Sequence, residues 1–379
     1  MGNNTALVVN PGDTFTYSGS TGTDSVVSAT SKSYVWVEGK LDAKSGATAA
    51  GYGVKFTTTK FSRVHHAAIV ETGLNGILFS STSPVNTITD SMIYRNGSAT
   101  SDDAVKLSQA DYNRVLDLTL VDNAGRGLMI GTGTVLYTNY TIVSKVRAYN
   151  NVGPMIATYD QTNAVVTDAV SVGNQQAVNL DSQDGAIVPN NTFSHFTAIN
   201  SNPSVASADF YFNTDAGPSS TVSQILSLNS GQSAFRSFAA NCKFANIVVG
   251  YTGATTAFFL NSSSGNVFSG YLGLSAGETC TVIASQGING SCAAANSSTV
   301  TTIGSLNTTS SLVGKVTGDT TNVSDSAGTS SYASIGDWFD FENIFRAWGP
   351  TKAKGTTIHR PATSLTARSQ GSPCSDFQS

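Results

Sequence analysis

Between Asn75 and Leu274 two kinds of short apolar segment alternate, and neither kind is long enough to bury a face by itself. The first comprises Gly76–Phe79, Ala104–Leu107, Gly127–Ile130, Pro154–Ala157, Ala177–Leu180, Ala208–Phe212, Ala234–Phe238 and Ala257–Leu260, whose first residues lie 28, 23, 27, 23, 31, 26 and 23 positions apart. The second opens on a polar residue, often Asn, and then alternates: Asn86–Tyr94, Asn113–Val121, Asn139–Val146, Asn163–Val170, Asn191–Phe196, Thr221–Ile225, Asn241–Phe244 and Asn266–Tyr271. Self-similarity at such a period marks a repeat architecture. Repeats this small become stable only when each covers the apolar side chains of the next. A coil of parallel strands does this, with about 25 residues to a turn and loops at the corners. Asn96, Asn123, Asn151, Asn174, Ser201 and Ser230 follow the second kind of strand at comparable offsets, as expected of corners where a short polar side chain satisfies bent backbone.

The spacing therefore predicts an all-β chain. Residues 1–60 read as strands that either begin the coil or cap its open end, and residues 61–274 form the solenoid itself. The pattern decays over residues 275–335, read as irregular chain wrapping the body. In residues 336–349, Trp338, Phe341, Phe345 and Trp348 fall on one helical face, ended by Gly349-Pro350, which predicts an amphipathic helix capping the C-terminal end of the coil. Residues 350–379 form a tail.

Only 12% of the 379 residues are charged, and the net charge is −4, with no basic stripe to hold a phosphate backbone, so nucleic acid is not the expected partner. No run of 18 apolar residues spans a membrane. Met1–Thr5 carries no secretory leader, so an exported form would have lost its leader or use another route. Cys280 and Cys292 enclose a short segment suited to a disulfide, and Cys242 would meet Cys374 if the tail folds back; the alternative is four reduced thiols. That usage points to an oxidising, extracellular or cell-surface location, and no cysteine or histidine spacing suggests a metal.

The Asn-led strands from Asn86 to Tyr271, with the Gly- and Ala-led strands between them, resemble the right-handed parallel β-helix, or pectate-lyase-like, superfamily. The resemblance implies a right-handed single-stranded solenoid of roughly ten turns. It also brings a range of activities: pectin and alginate lyases, polygalacturonases, phage tailspikes, autotransporter passengers and adhesins. Of the polygalacturonase signatures Asp102-Asp103 has a counterpart here, whereas neither Gly-His-Gly nor Arg-Ile-Lys occurs.

An enzymatic reading takes Asp102 or Asp103 as acid, Asp122 or Asp160 as base, and Lys106 or Arg126 to hold an anionic sugar, with Arg63 and His65 as further candidates. Asp102-Asp103 reads equally as a corner that accepts backbone hydrogen bonds. His65 and His66 are expected on opposite sides of a strand, so that they share no ligand site. Tyr137, Tyr140, Tyr149, Tyr159 and Tyr211 suit stacking on sugar faces, or else fill corners. The favoured expectation is a non-catalytic, surface-exposed protein that binds a polysaccharide or a cell-surface protein, with no cofactor. The alternatives are a lyase or hydrolase acting on an acidic glycan, and a tailspike-like component. Both a monomer and a parallel trimer fit.

Overall fold

The computed structural model describes residues 1–250 except 19–22, 46–47, 132–137, 182–188, 204–207, 214–218, 229 and 240–241, and beyond them only short strands between Thr256 and Ser331. Two long parallel sheets run the length of the described body. The first stacks Thr5–Val8, Val35–Asp42, Arg63–Val70, Thr87–Tyr94, Arg114–Val121, Ile142–Tyr149, Val165–Val172, Thr192–Ile199, Thr221–Leu228 and Lys243–Gly250. The second stacks Ser25–Thr30, Tyr52–Thr57, Asn75–Ser80, Asp103–Leu107, Arg126–Ile130, Ile156–Tyr159, Val178–Asp181, Ala208–Phe212 and Ser233–Ser237. The strands of residues 1–60 thus begin the coil.

The interior is built in columns. In the second sheet Phe79, Leu107, Ile130, Thr158, Leu180 and Phe212 succeed one another in register, all buried. Each large apolar side chain so covered stabilises the coil by roughly 1.5–3 kcal/mol. Phenylalanine dominates toward the later turns, where Phe193, Phe196, Phe210, Phe212, Phe235 and Phe244 pack edge to face or stacked.

Strands of the first sheet are not simple alternators. Inward residues fall at Val64, Ala67 and Ile69, then Val115, Leu118 and Leu120, then Val143, Val146 and Ala148, so a gap of two outward residues interrupts each strand. The second residue of the gap is left-handed at every turn: His66, Asp90, Asp117, Lys145, Asp168, His195 and Gln224 all have φ between 45° and 57°. A left-handed residue bends the strand and resets its phase, which lets one eight-residue segment line two walls of the coil.

Polar ladders hold the corners. Asn96, Asn123 and Asn151 each donate the main-chain N–H to the side-chain oxygen of the next ladder residue, ending at Asn174, at 3.0, 3.0 and 2.8 Å. A second ladder at the strand entrances runs from Ser62 to Asn86 to Asn113, both steps at 2.8 Å. Where the first ladder changes from Asn to the shorter Ser201 and Ser230, the buried carboxylate of Asp209 moves in and accepts from the hydroxyls of Ser227 and Ser230.

One expectation is corrected. Seven turns, those of the strands beginning at residues 63, 87, 114, 142, 165, 192 and 221, repeat regularly, fewer than the ten expected, and the described residues contain no helix. The segment 336–349, which the aromatic spacing made a capping helix, lies outside the described residues, as do Cys292, Cys374 and Tyr137. Among the described residues no helix is long and apolar enough to cross a membrane.

Candidate functional site: the outer face of the second sheet

Asp103 and Arg126 open successive strands of the second sheet and stand opposite each other in register. The close approach of the two turns depends on Gly125, where a Cβ would come within 1.9 Å of the Asp102 carbonyl oxygen. Arg126 Nε donates to Asp103 Oδ1 at 2.5 Å and Nη2 to Oδ2 at 3.3 Å, a two-pronged pair, while Nη2 also donates to the Ser101 carbonyl at 3.0 Å. Lys106 Nζ lies 3.6 Å from Asp103 Oδ2, and the Arg126 guanidinium sits 5.7 Å from the centre of the Tyr159 ring. Four candidates of the sequence analysis, Asp103, Lys106, Arg126 and Tyr159, therefore meet at one place.

The electrostatics follow from burial. Desolvation pushes the Asp103 carboxyl up, and Arg126 and Lys106 pull against it. Burial also opposes the charge on Arg126, but Asp103 and Tyr159 outweigh it and the guanidinium is held above its usual range. The outcome is one internal carboxylate neutralising one cation, with the second cation, Lys106, partly exposed at the rim. Asp102 is spent locally: its Oδ2 accepts from the Ser98 and Ala99 N–H groups at 2.7 and 2.8 Å, closing the turn as an ordinary corner residue.

From Lys106 a row continues in register through Met129 and Ala157, both buried, then Asn179 and Tyr211 to Arg236, about 24 Å at the usual strand spacing. At its far end Tyr211 packs against Phe238 at 6.0 Å, and Asp181 accepts from Asn213 at 2.7 Å. Burial raises the Tyr211 hydroxyl, with Arg236 opposing. The row thus carries a cation and an aromatic ring at each end, with Met129 and Ala157 covered between them.

Other candidates lie elsewhere. Asp160 is buried, and Asp122 accepts from Asn150 at a corner. Tyr149 ends a first-sheet strand and packs against the core. Tyr140 stands at a corner, stacked on Tyr112 at 5.0 Å. There it completes a column that the sequence analysis missed: Tyr34, Phe61, Val85, Tyr112 and Tyr140, one per turn, all exposed and all left-handed with φ between 50° and 60°. The signal was present, since Val85 and Tyr112 directly precede the ladder residues Asn86 and Asn113. A cleft of about 330 Å³ opens at the start of this column, lined by Tyr34, Trp36, Phe61, Arg63 and Val85. Arg63 covers the Trp36 ring at 5.5 Å, and His65 meets the same ring edge-on at 6.0 Å.

His65 and His66 do not point apart. Both occupy the two-residue outward gap, and their ring centres are 3.6 Å apart. The left-handed turn at His66 breaks the alternation from which opposite sides were expected.

Two parallel sheets stacked turn on turn and joined by Asn-laddered corners define a parallel β-helix. Residues 6–193 match the family model described as "Right handed beta helix region". Among solved structures, pectate lyase Pel9A is similar at 15% identity over 67% of this chain and 70% of that one, with a TM-score of 0.47. An alginate lyase from Paenibacillus sp. str. FPU-7 is similar at 17% identity, over 62% and 79% of the two chains, with a TM-score of 0.42. An endo-xylogalacturonan hydrolase from Aspergillus tubingensis is similar at 14% identity, over 76% and 85%, with a TM-score of 0.42. No curated protein matches the chain.

Proposed function

We propose that this protein engages an acidic polysaccharide outside the cell along the outer face of the second sheet, and cleaves it by elimination. The observation that carries the reading is the meeting of Lys106 and Arg126 at the buried carboxylate of Asp103, beside Tyr159. Elimination from a uronate requires the carboxylate to be neutralised, so that the proton next to it leaves to a base as the bond to the leaving sugar breaks. Arg126, fixed by Asp103, is suited to hold the substrate carboxylate. Lys106, the more exposed of the two basic side chains, takes that proton as the neutral amine, its own proton having first passed to solvent. Hydrolysis would instead call for two carboxylates across a groove. Asp103 is buried in its ion pair and Asp102 is engaged with its own turn, which favours elimination over hydrolysis.

A second reading, binding without cleavage in the manner of an adhesin, is favoured by the exposed column Tyr34, Phe61, Val85, Tyr112 and Tyr140, which has no reacting group in it. One experiment separates the two. Purified protein is incubated with polygalacturonate, alginate and a neutral glucan, and unsaturated uronate ends are followed by ultraviolet absorbance while retention is followed by affinity electrophoresis. Unsaturated ends that disappear in Lys106→Ala support cleavage. Retention on the acidic gels without product supports binding alone. Neither product nor retention on any acidic polymer would refute both.

A further inference from the structure

His65, His66 and Asp90 come from two adjacent turns and converge on the outer side of the first sheet. Asp90 Oδ2 lies 3.5 Å from His65 Nδ1 and 3.9 Å from His66 Nε2, and the three ligand atoms all fall within 4.8 Å of one another. Two ligands of a tetrahedral zinc ion, each bound at about 2.0–2.1 Å, stand about 3.3 Å apart. The two imidazole–carboxylate separations exceed this by 0.2 and 0.6 Å, and the two imidazole nitrogens, within 4.8 Å, close by up to about 1.5 Å as the ion binds. We propose that this trio is a binding site for a borderline divalent cation of the zinc class, with the remaining coordination position open to solvent.

Two features support the assignment. The ligand set is two imidazoles and one carboxylate, the mixture that suits zinc rather than calcium, which takes six or more oxygens. The other ring nitrogen of His66, Nδ1, stands 3.8 Å from Glu38 Oε1, beyond hydrogen-bond distance but close enough for a small shift to bring a carboxylate onto the ring when the ion binds. His65 and His66 are brought to one side by the left-handed φ of 45° at His66, the same bend that recurs in the following turns from Asp90 to Gln224. His65 Nδ1 at present shares a hydrogen bond with the Thr89 hydroxyl at 2.5 Å, which metal binding would replace.

The corresponding gap four turns on from Asp90 holds the comparison that makes the inference testable. His195 and Asp168 there lie 3.8 Å apart, but Ser194 occupies the place that His65 fills. A single His–carboxylate pair lacks the third ligand, so it should not hold the ion.

The test is titration of the full chain, freed of metal by chelator, with Zn²⁺ and separately with Ca²⁺, read by calorimetry, together with Co²⁺ absorption in the visible range. One Zn²⁺ per chain is expected, with no comparable Ca²⁺ binding. Asp90→Ala and His66→Ala should each weaken Zn²⁺ at least tenfold and remove the Co²⁺ bands, while His195→Ala leaves both unchanged. Glu38→Gln should weaken binding less than loss of a ligand does. Absence of stoichiometric Zn²⁺ binding, or binding that survives in Asp90→Ala and His66→Ala with circular dichroism unchanged, would overturn the proposal.

Discussion

Arg126 and Asp103, 23 residues apart in sequence, form a two-pronged ion pair in which the carboxylate is wholly buried and the arginine side chain partly exposed. Removing one partner strands a charge away from water, which typically costs about 3–5 kcal/mol. Asp103→Ala and Arg126→Leu should therefore each lower the unfolding free energy by about 3 kcal/mol, and the double variant by clearly less than the sum. A double-mutant cycle in urea measures this, and additive losses would contradict the pairing.

Asp209 is expected to make stability depend on pH. Burial lifts its carboxyl from the ordinary 3.8 to about 7, with the Ser227 and Ser230 hydroxyls opposing the shift. Because the folded pKa is raised, the contribution is fully present below about pH 4 and is lost as pH rises through about 7. At 1.36 kcal/mol per unit the difference is roughly 4 kcal/mol. Denaturation midpoints measured from pH 4 to 8 should fall for the wild type, and Asp209→Asn should flatten that fall.

Asn123 both accepts from the Asn96 N–H at 3.0 Å and donates its own N–H to Asn151 Oδ1 at 3.0 Å, and its amide nitrogen donates to the same oxygen at 2.7 Å. Truncation to Ala leaves the buried Asn96 N–H without an acceptor, at about 1–3 kcal/mol for the unsatisfied group. Asn123→Ala should unfold earlier than Asn150→Ala, a substitution at the exposed neighbouring corner, when both are followed by thermal circular dichroism.

Val85 is a branched residue held at φ 60° with its side chain 42% exposed. Left-handed backbone costs a non-glycine residue roughly 1–2 kcal/mol. Val85→Gly should stabilise the protein by about 1 kcal/mol, while weakening retention on any glycan that uses the corner column. A fall in midpoint would show that the exposed side chain contributes more than the strain it imposes.

Tyr112 and Tyr140 stack at 5.0 Å on the solvent side of that column. If the corner holds sugar rings, Tyr112→Ala combined with Tyr140→Ala should reduce gel retention several-fold with little change in unfolding midpoint. Unchanged retention would leave the second-sheet face as the sole contact.

Legibility differed between the interior and the site. The column Phe79, Leu107, Ile130 and Leu180 was visible in the sequence, because stacking of identical turns turns a spacing along the chain into a contact in space. The corners at Asn96, Asn123, Asn151 and Asn174 were visible for the same reason. The meeting of Asp103, Lys106 and Arg126 was only partly visible. Their residue types suggested anionic sugar chemistry, but the register that sets Asp103 against Arg126 depends on how many loop residues each turn contains.

The pair His65 and His66 marks the boundary. Taken as members of an alternating strand they pointed apart; in the folded chain one left-handed residue per turn places both outside. By itself the amino-acid order determined that this is a coil of parallel strands, since segments this short can find apolar cover nowhere except on their own neighbours. Only the tertiary structure decided which polar side chains meet across turns, because a single backbone angle in each strand reverses the side to which every later residue points.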